Sequence, residues 1–256
     1  MSVPFTSILR GVSMRRTAIV YQTIPIPYKL LLIIACGAGG SLLFTLTYLV
    51  EGFTRPGYNA WQQSISALSL GTGGWTQQAN FVVYGVITLC TVYAWRKILR
   101  GGVGAKWYPI LKVLEGIGLI VDGVFSQDPA GYPAGMVVTT PSVHGTVHIL
   151  FAFVTITALA FSCFVMARRL RHHSGWRGWV AYSIITGVLT LLFIAIFGVE
   201  SSHVGATAGL FERLATGVDT FWSLLFVIHL FYKSRFVVAL HQEFSLTINL
   251  PPNHPI

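Results

Sequence analysis

The stretch GWVAYSIITGVLTLLFIAIFG, residues 178–198, decides the fold because its 21 residues include no charged side chain. A helix of about 20 apolar residues is long enough to cross the roughly 30 Å hydrocarbon core of a bilayer. We therefore predict that this stretch is a membrane-spanning helix.

The composition of the whole chain has the same character. Of its 256 residues, 54% are apolar and only 10% are charged, and the mean hydropathy is +0.67. Soluble domains carry roughly 25% charged residues, and a chain of this size has too little interior to bury so much apolar surface. The composition therefore excludes a soluble enzyme and places most of the apolar surface against the lipid bilayer.

Five further stretches of similar length and hydropathy can be marked along the chain. They cover residues 28–50, 80–97, 107–126, 146–167 and 213–232. We therefore predict an all-α integral membrane protein, a bundle of six transmembrane helices that forms one domain over residues 28–232. Residues 1–27 are expected to be an N-terminal segment. Residues 233–256 are expected to be a tail that lies on the surface or is disordered.

The basic residues indicate how the bundle is oriented. In this arrangement fifteen of the seventeen lie on one side of the membrane, and only Arg55 and Arg213 lie on the other. Cytoplasmic connections carry an excess of Lys and Arg. We therefore place both termini in the cytoplasm and the protein in the cell membrane. The net charge of +9 then reflects orientation and needs no nucleic acid as a partner.

The few ionisable residues near or within the spans gather in the outer half of the predicted bundle. A carboxylate or imidazole inside a span costs at least a few kcal/mol unless it is paired or solvated, so each is a candidate for function. We expect a polar chamber that is open to the extracytoplasmic side. Its candidate residues are Glu51, Arg55, Asp122, His144, His148, Glu200, His203 and Asp219.

His144 and His148 are four residues apart, so on a helix both imidazoles lie on one face. They are candidates to bind one divalent transition metal such as zinc, with Asp122 as a third ligand and Asp128, Glu200 and His203 as alternatives. A hydrogen-bonded or proton-relay role without metal stays open. In the enzymatic form, Asp122, His144 and His148 would be the catalytic residues that position and activate water.

The connection after the first span, residues 51–71, is the most distinctive part of the chain. Trp61, Ile65 and Leu68 recur at helical spacing, which indicates a short amphipathic helix at the membrane interface. An interfacial anchor without chemistry is one interpretation, and a lid over the chamber is the other. In the second, Arg55 offers a positive charge to a head group, and Glu51, Tyr58, Asn59 and Asp219 are further candidates for binding substrate.

At these residues the chain resembles the uncharacterised membrane family catalogued as domain of unknown function 998. The resemblance covers about residues 28–232 and rests on motifs that follow or flank the first four spans. These are residues 55–59 (RPGYN), residues 65–71 (ISALSLG), Asn80, Asp122, residues 128–129 (DP), His144 and His148. It implies a six-helix integral membrane protein and carries no established activity.

Asp122 with His144 and His148 is also distantly similar to the membrane hydrolases that include alkaline ceramidases. Those enzymes use histidines, an aspartate and a serine around zinc. They have seven spans and place a histidine pair in the last one, whereas here the pair opens the fourth. The similarity is therefore an analogy, and it implies a lipid substrate only in that sense.

Three functional hypotheses follow from the sequence. The first is a polar pocket on the extracytoplasmic side that binds or hydrolyses a lipid-like molecule. The second is a proton-coupled transporter in which Glu115, Asp122 and Asp219 relay charge through the bundle. The third is an assembly or sensor subunit whose polar stripes only pack helices against each other.

Overall fold

The computed structural model describes residues 26–130, 132, 136–173, 175–201, 203 and 207–248, with side chains as far as residue 234. This part of the chain is helical, with one isolated β-bridge between Ala130 and Val137. The helices are α1 (Tyr28–Thr54), α2 (Gly74–Ile98), α3 (Trp107–Val124), α4 (Val143–Leu170), α5 (Arg177–Glu200) and α6 (Ala208–Ile248), with a short 3₁₀ helix, η1 (Ile65–Ser69), between α1 and α2.

Five of these helices are long and apolar enough to cross a membrane: α1, α2, α4, α5 and the part of α6 from Ala208 to Ser234. The prediction of an all-α, multi-pass membrane protein in contact with lipid is therefore confirmed. The remaining helix, α3, has 18 residues and contains Lys112, Glu115 and Asp122. The sixth span, and with it the orientation of the termini, stays a prediction.

Several helix ends differ from the prediction. Helix α2 begins at Gly74 instead of Asn80, and α6 begins at Ala208 instead of Arg213 and continues to Ile248 instead of ending at Tyr232. Helix α6 therefore extends into the segment predicted as a tail, residues 233–256. Residues 236–248 contain neither glycine nor proline, and the first helix-breaking residue is Pro251. Residues 1–25 and 249–256 lie outside the described residues.

The six helices form a ring. Each helix packs against the next one along the chain, and α6 packs against α1 to close the ring. Helices α2 and α3 approach closely at Gly85 and Gly116, because a Cβ atom on Gly85 would stand 2.7 Å from the Gly116 carbonyl oxygen. Small residues permit this kind of close packing between membrane helices.

The apolar and polar side chains are distributed as expected for a helix bundle in lipid. Large apolar side chains such as Leu43, Phe153, Phe221 and Ile228 are exposed on the outside of the ring. Buried hydroxyl and carboxyl groups lie inside it, because a polar group that faces hydrocarbon has no partner. The ring interior is therefore where a functional site is to be sought.

Candidate functional site

A cavity of about 60 Å³ lies inside the ring, lined by residues of α1, η1, α2, α3, α4 and α6. Four of the chain's eight acidic residues line it, namely Glu115, Asp122, Glu212 and Asp219. Each of the four is at most 8% exposed. We refer to this space as the acidic cavity.

The four carboxyl groups form two tiers. Glu115 and Asp122 are seven residues apart on α3, and Glu212 and Asp219 are seven apart on α6. Seven residues are close to two helical turns, so each pair lies on one helix face with its members about 10 Å apart. Asp122 and Glu212 interact electrostatically and form the loop-side tier, whereas Glu115 and Asp219 interact and form the central tier.

Asp122 in the loop-side tier has an oxygen without a hydrogen bond. Within the described part of the chain, no donor bonds to its Oδ1, which is 3.8 Å from His148 Nδ1. That nitrogen already makes a 2.7 Å hydrogen bond with the carbonyl oxygen of Phe125. Because a carbonyl can only accept, Nδ1 carries the hydrogen, and Nε2 is the basic nitrogen of a neutral His148 ring.

His144 lies apart from this pair. It occupies the first turn of α4, is exposed, and places its ring 5.0 Å from that of Phe125. Among the residues with described side chains, no group of three or more His, Cys, Asp or Glu could hold a metal ion. The structure thus brings Asp122 and His148 together but leaves His144 at the surface, and catalytic roles for the three stay predictions.

The central tier is held by several hydrogen bonds. Lys112 Nζ donates to Glu115 Oε2 at 2.8 Å, and the Tyr84 hydroxyl donates to Glu115 Oε1 at 3.4 Å. Cys163 Sγ donates to Asp219 Oδ1 at 3.6 Å. Next to Asp219 on α6, the Thr220 hydroxyl is 2.9 Å from the Ser41 hydroxyl of α1.

A smaller cavity of about 20 Å³ lies beyond the central tier, away from η1. Lys112 lines it together with the aromatic side chains Trp95, Tyr108 and Trp222. Tyr84 lines both cavities. The ion pair of Lys112 with Glu115 therefore stands between the two spaces.

The connection from residue 55 to residue 73, which we call the plug loop, closes the acidic cavity at one end. All five residues of η1 are buried, and Ile65 and Ser66 line the cavity. The predicted amphipathic helix at the interface is therefore wrong, because η1 is buried on every side. Trp61 and Trp75 do remain exposed beside it, at 59% and 70%.

Helix α6 binds the plug loop directly. The Ile65 amide donates to Glu212 Oε2 at 2.6 Å, so one cavity carboxyl group also holds η1. Arg213 donates to the Gln63 carbonyl at 3.0 Å and to the Tyr58 hydroxyl. The first amides of α6 complete the contact, since Gly209 donates to Gln62 at 3.2 Å.

The predicted substrate-binding residues of this region hold the loop together. Arg55 donates to the carbonyls of Leu68, Leu70 and Gly73 and pairs with Glu51 at 2.7 Å. Asn59 Oδ1 accepts from the Trp61 amide at 3.0 Å. Burial raises the pKa of the Tyr58 hydroxyl, which donates to the Ser64 carbonyl at 2.7 Å. The predicted substrate-binding residues are Glu51, Arg55, Tyr58, Asn59 and Asp219. Of these, only Asp219 lines the acidic cavity.

The sequence profile of the family described as "Protein of unknown function (DUF998)" matches residues 38–229. The chain belongs to the DUF998 family. The resemblance noted from the sequence is thereby confirmed, and the matched range contains all four cavity carboxyl groups and the plug loop. Comparisons with curated proteins and with solved structures gave no match.

Two members of the cavity in this DUF998 protein, Glu115 and Glu212, are absent from the predicted chamber. Glu115 is named only in the transporter hypothesis. The signal that points to them is the seven-residue spacing on two helices, residues 115 and 122 and residues 212 and 219. That spacing places both members of each pair on a single face.

Proposed function

We propose that this DUF998 member spans the cell membrane six times, with both termini in the cytoplasm. The packing of α3 supports the sixth span, because it lies in the ring between α2 and α4. Its ionisable side chains are turned inward, with Glu115 and Asp122 at most 2% exposed. Its exposed side chains are apolar, namely Trp107, Ile110, Leu114, Ile117 and Val124.

We further propose that the protein is a proton-coupled carrier that binds a small solute in the acidic cavity. One observation carries this proposal: four buried carboxyl groups from α3 and α6 line a single cavity. Buried carboxyl groups in a membrane are costly and mark ion or proton pathways. Among the described residues, only Glu115 of these four forms an ion pair with a lysine or arginine.

The separation of the two tiers along the helices favours a carrier over a site confined to one side of the membrane. The tiers are about 10 Å apart along the helices. Beyond the central tier, Tyr84 and the pair of Lys112 with Glu115 border the second cavity. A proton released by a cavity carboxyl group, or a bound cation, would therefore meet further polar groups on its way through the bundle.

Hydrolysis of a lipid-like molecule is the second candidate. The observation that favours it is the position of His148, whose ring lies beside the unpartnered oxygen of Asp122. In such an enzyme Asp122 would orient water and His148 Nε2 would accept its proton. This candidate needs only the loop-side tier and gives no task to Asp219.

Proton movement into proteoliposomes tests the carrier. Purified protein is reconstituted with a trapped pH-sensitive dye, and pools of amines, amino acids, organic acids and sugars are added outside. We expect at least one pool to drive proton movement above that of empty liposomes. We expect Asp219→Asn and Asp122→Asn to remove it, because each loses a titratable carboxyl group of the cavity.

Glu200→Gln is the matched control, since Glu200 lies outside the cavity and binds Thr207 at the N-terminus of α6. It should retain the wild-type rate. Proton movement that no pool elicits, or that survives both aspartate substitutions, would exclude the carrier. Lipid turnover lost in His148→Ala and retained in Asp219→Asn would instead establish the hydrolase.

A further inference from the structure

We infer that the acidic cavity binds a small organic ammonium ion and that Asp122 is its principal counter-ion. This inference rests on the proposed carrier function. It adds to that proposal the chemical class of the solute. It is carried by three features of the cavity: an unsatisfied carboxyl oxygen, the charge of the lining and the aromatic side chains of the lining.

The unsatisfied oxygen is Asp122 Oδ1. Asp122 is 2% exposed and lines the cavity, and in the described part of the chain nothing bonds to this atom. His148 Nδ1 is 3.8 Å away and donates to the Phe125 carbonyl instead. Buried polar atoms are nearly always paired, so an orphan that borders a cavity indicates a missing donor. An N–H group of an ammonium ion would supply it.

The charge of the lining selects a cation. The cationic side chains nearest to these carboxyl groups along α3 and α6, Lys112 and Arg213, do not line the cavity. Lys112 pairs with Glu115, and Arg213 donates to the carbonyls of Gln63 and Gly209 on the side of the plug loop. Asp122 and Asp219 make no ion pair with either. A bound anion would meet these carboxyl groups at close range without a positive charge in the lining to offset them.

The aromatic side chains of the lining favour an organic cation. Phe44 packs against Phe81 and Tyr84 with ring centroids 5.2 Å apart in both cases, and all three line the cavity. Aromatic faces attract ammonium groups and accept alkyl chains. Leu119 and Ile156 add apolar surface to the same space.

The volume sets the size of the ligand. A cavity of about 60 Å³ has room for about four to six water-sized groups, since one water needs roughly 10–15 Å³. An ammonium nitrogen with two to four carbon atoms meets that limit. Longer chains would have to displace η1, which the Glu212 carboxylate holds through the Ile65 amide.

Thermal unfolding of the purified protein in detergent tests this inference. The probes are ethyl-, propyl-, butyl- and hexylammonium chloride, with the corresponding alcohols and sodium chloride at equal ionic strength. We expect saturable stabilisation by the C2 to C4 ammonium ions and none by the alcohols or sodium. Asp122→Asn should weaken the apparent affinity about tenfold or more, the effect of losing a charge-assisted hydrogen bond.

Two further variants make the test decisive. Ala152→Leu adds bulk to the cavity wall without changing its charge, and it should lose butylammonium before ethylammonium. Glu200→Gln should bind as the wild type does. Absence of any ammonium effect, equal stabilisation by sodium, or unchanged affinity in both Asp122→Asn and Ala152→Leu would overturn the inference.

The result of the ammonium-binding test can be distinguished from the result of the proton-movement test of the carrier. Ammonium binding without proton movement would leave the site intact and exclude transport. Proton movement driven by another pool, without ammonium binding, would support the carrier and overturn the ligand class.

Discussion

Single residues at the ends of the bundle have tasks that differ from those inside it. Asp128 lies between α3 and α4, where its carboxylate accepts from the Ser142 hydroxyl at 2.6 Å and from the Ser142 amide at 2.9 Å. These hydrogen bonds hold the pKa of Asp128 below its usual value of 3.8. Ser142 in turn caps α4 by accepting from the Gly145 amide at 2.9 Å.

We expect Asp128→Asn to lower the thermal stability of the protein at neutral pH. A carboxyl group whose pKa is depressed by folding contributes stability above its unfolded pKa and loses it as the pH falls through the folded value. The advantage of the wild type over Asp128→Asn should therefore be full at pH 7 and decline below about pH 4. Unfolding temperatures of both proteins between pH 3 and pH 7 measure it.

The double substitution with Ser142→Ala provides the control. Because Asp128 acts through Ser142, its substitution should cost less in the Ser142→Ala background than in the wild type. An advantage that persists unchanged at pH 3, or additive effects in the double variant, would contradict this role.

Single residues also show the limit of sequence reasoning. The spacing of His144 and His148 correctly indicated one helix, α4, that begins just before them. It did not indicate that the first turn of α4 extends beyond the ring, where His144 is exposed and His148 is buried. Helical periodicity shows which residues share a helix face. How far the neighbouring helices extend along that face decides which of these side chains are buried.

Glycine residues allow some neighbouring helices to pack closely against each other. Gly85 on α2 meets both the Gly116 carbonyl oxygen and the Ile120 side chain of α3, which would lie 2.7 and 2.8 Å from an added Cβ atom. Gly39 on α1 has no atom within 4 Å of such a Cβ. The two positions are a matched pair for measuring how tightly α3 is packed.

We expect Gly85→Ala to destabilise the protein by roughly 1–3 kcal/mol, the usual cost of overpacking. The added Cβ atom would clash with the backbone of α3, so α3 would have to move. Glu115 and Asp122 lie on this helix. Gly39→Ala should be neutral or slightly stabilising, because alanine favours a helix by up to about 1 kcal/mol over glycine. Chemical unfolding in detergent compares the two, and equal effects would mean that this helix contact is loose.

The plug loop illustrates the same limit at the level of elements. Its apolar residues suggested a helix that rests on the membrane surface with one polar face. In the structure, Arg55 binds three loop carbonyls and Glu212 binds the Ile65 amide, so the segment turns inward and is buried. Both partners act over long sequence separations, which a local pattern does not contain.

The arrangement of the whole molecule depends on whether α3 crosses the membrane. Val103 precedes α3 and Met136 follows it, and both side chains are exposed, at 37% and 56%. In a variant with Cys36, Cys90 and Cys163 replaced by alanine, single cysteines at these two positions report on their side of the membrane.

We expect a membrane-impermeant maleimide to label Met136→Cys in intact cells and Val103→Cys only after the membrane is permeabilised. The reason is that the basic residues Arg96, Lys97 and Lys106 lie near Val103 along the chain, and cytoplasmic connections are enriched in such residues. Labelling of both positions from the same side would show that α3 does not span. Labelling with the two sides exchanged would reverse the orientation.

The sequence by itself determined the class of the molecule, the places of its helices and its family. These depend on runs of apolar residues and on local motifs, which add up along the chain and can be read without knowing any contact. The tertiary structure alone decided that Glu115, Asp122, Glu212 and Asp219 share one cavity, that η1 closes it and that His144 stays outside. Those facts depend on how six helix faces meet when α6 returns to α1, and the hydrogen bonds of this closure join residues 168 to 179 positions apart.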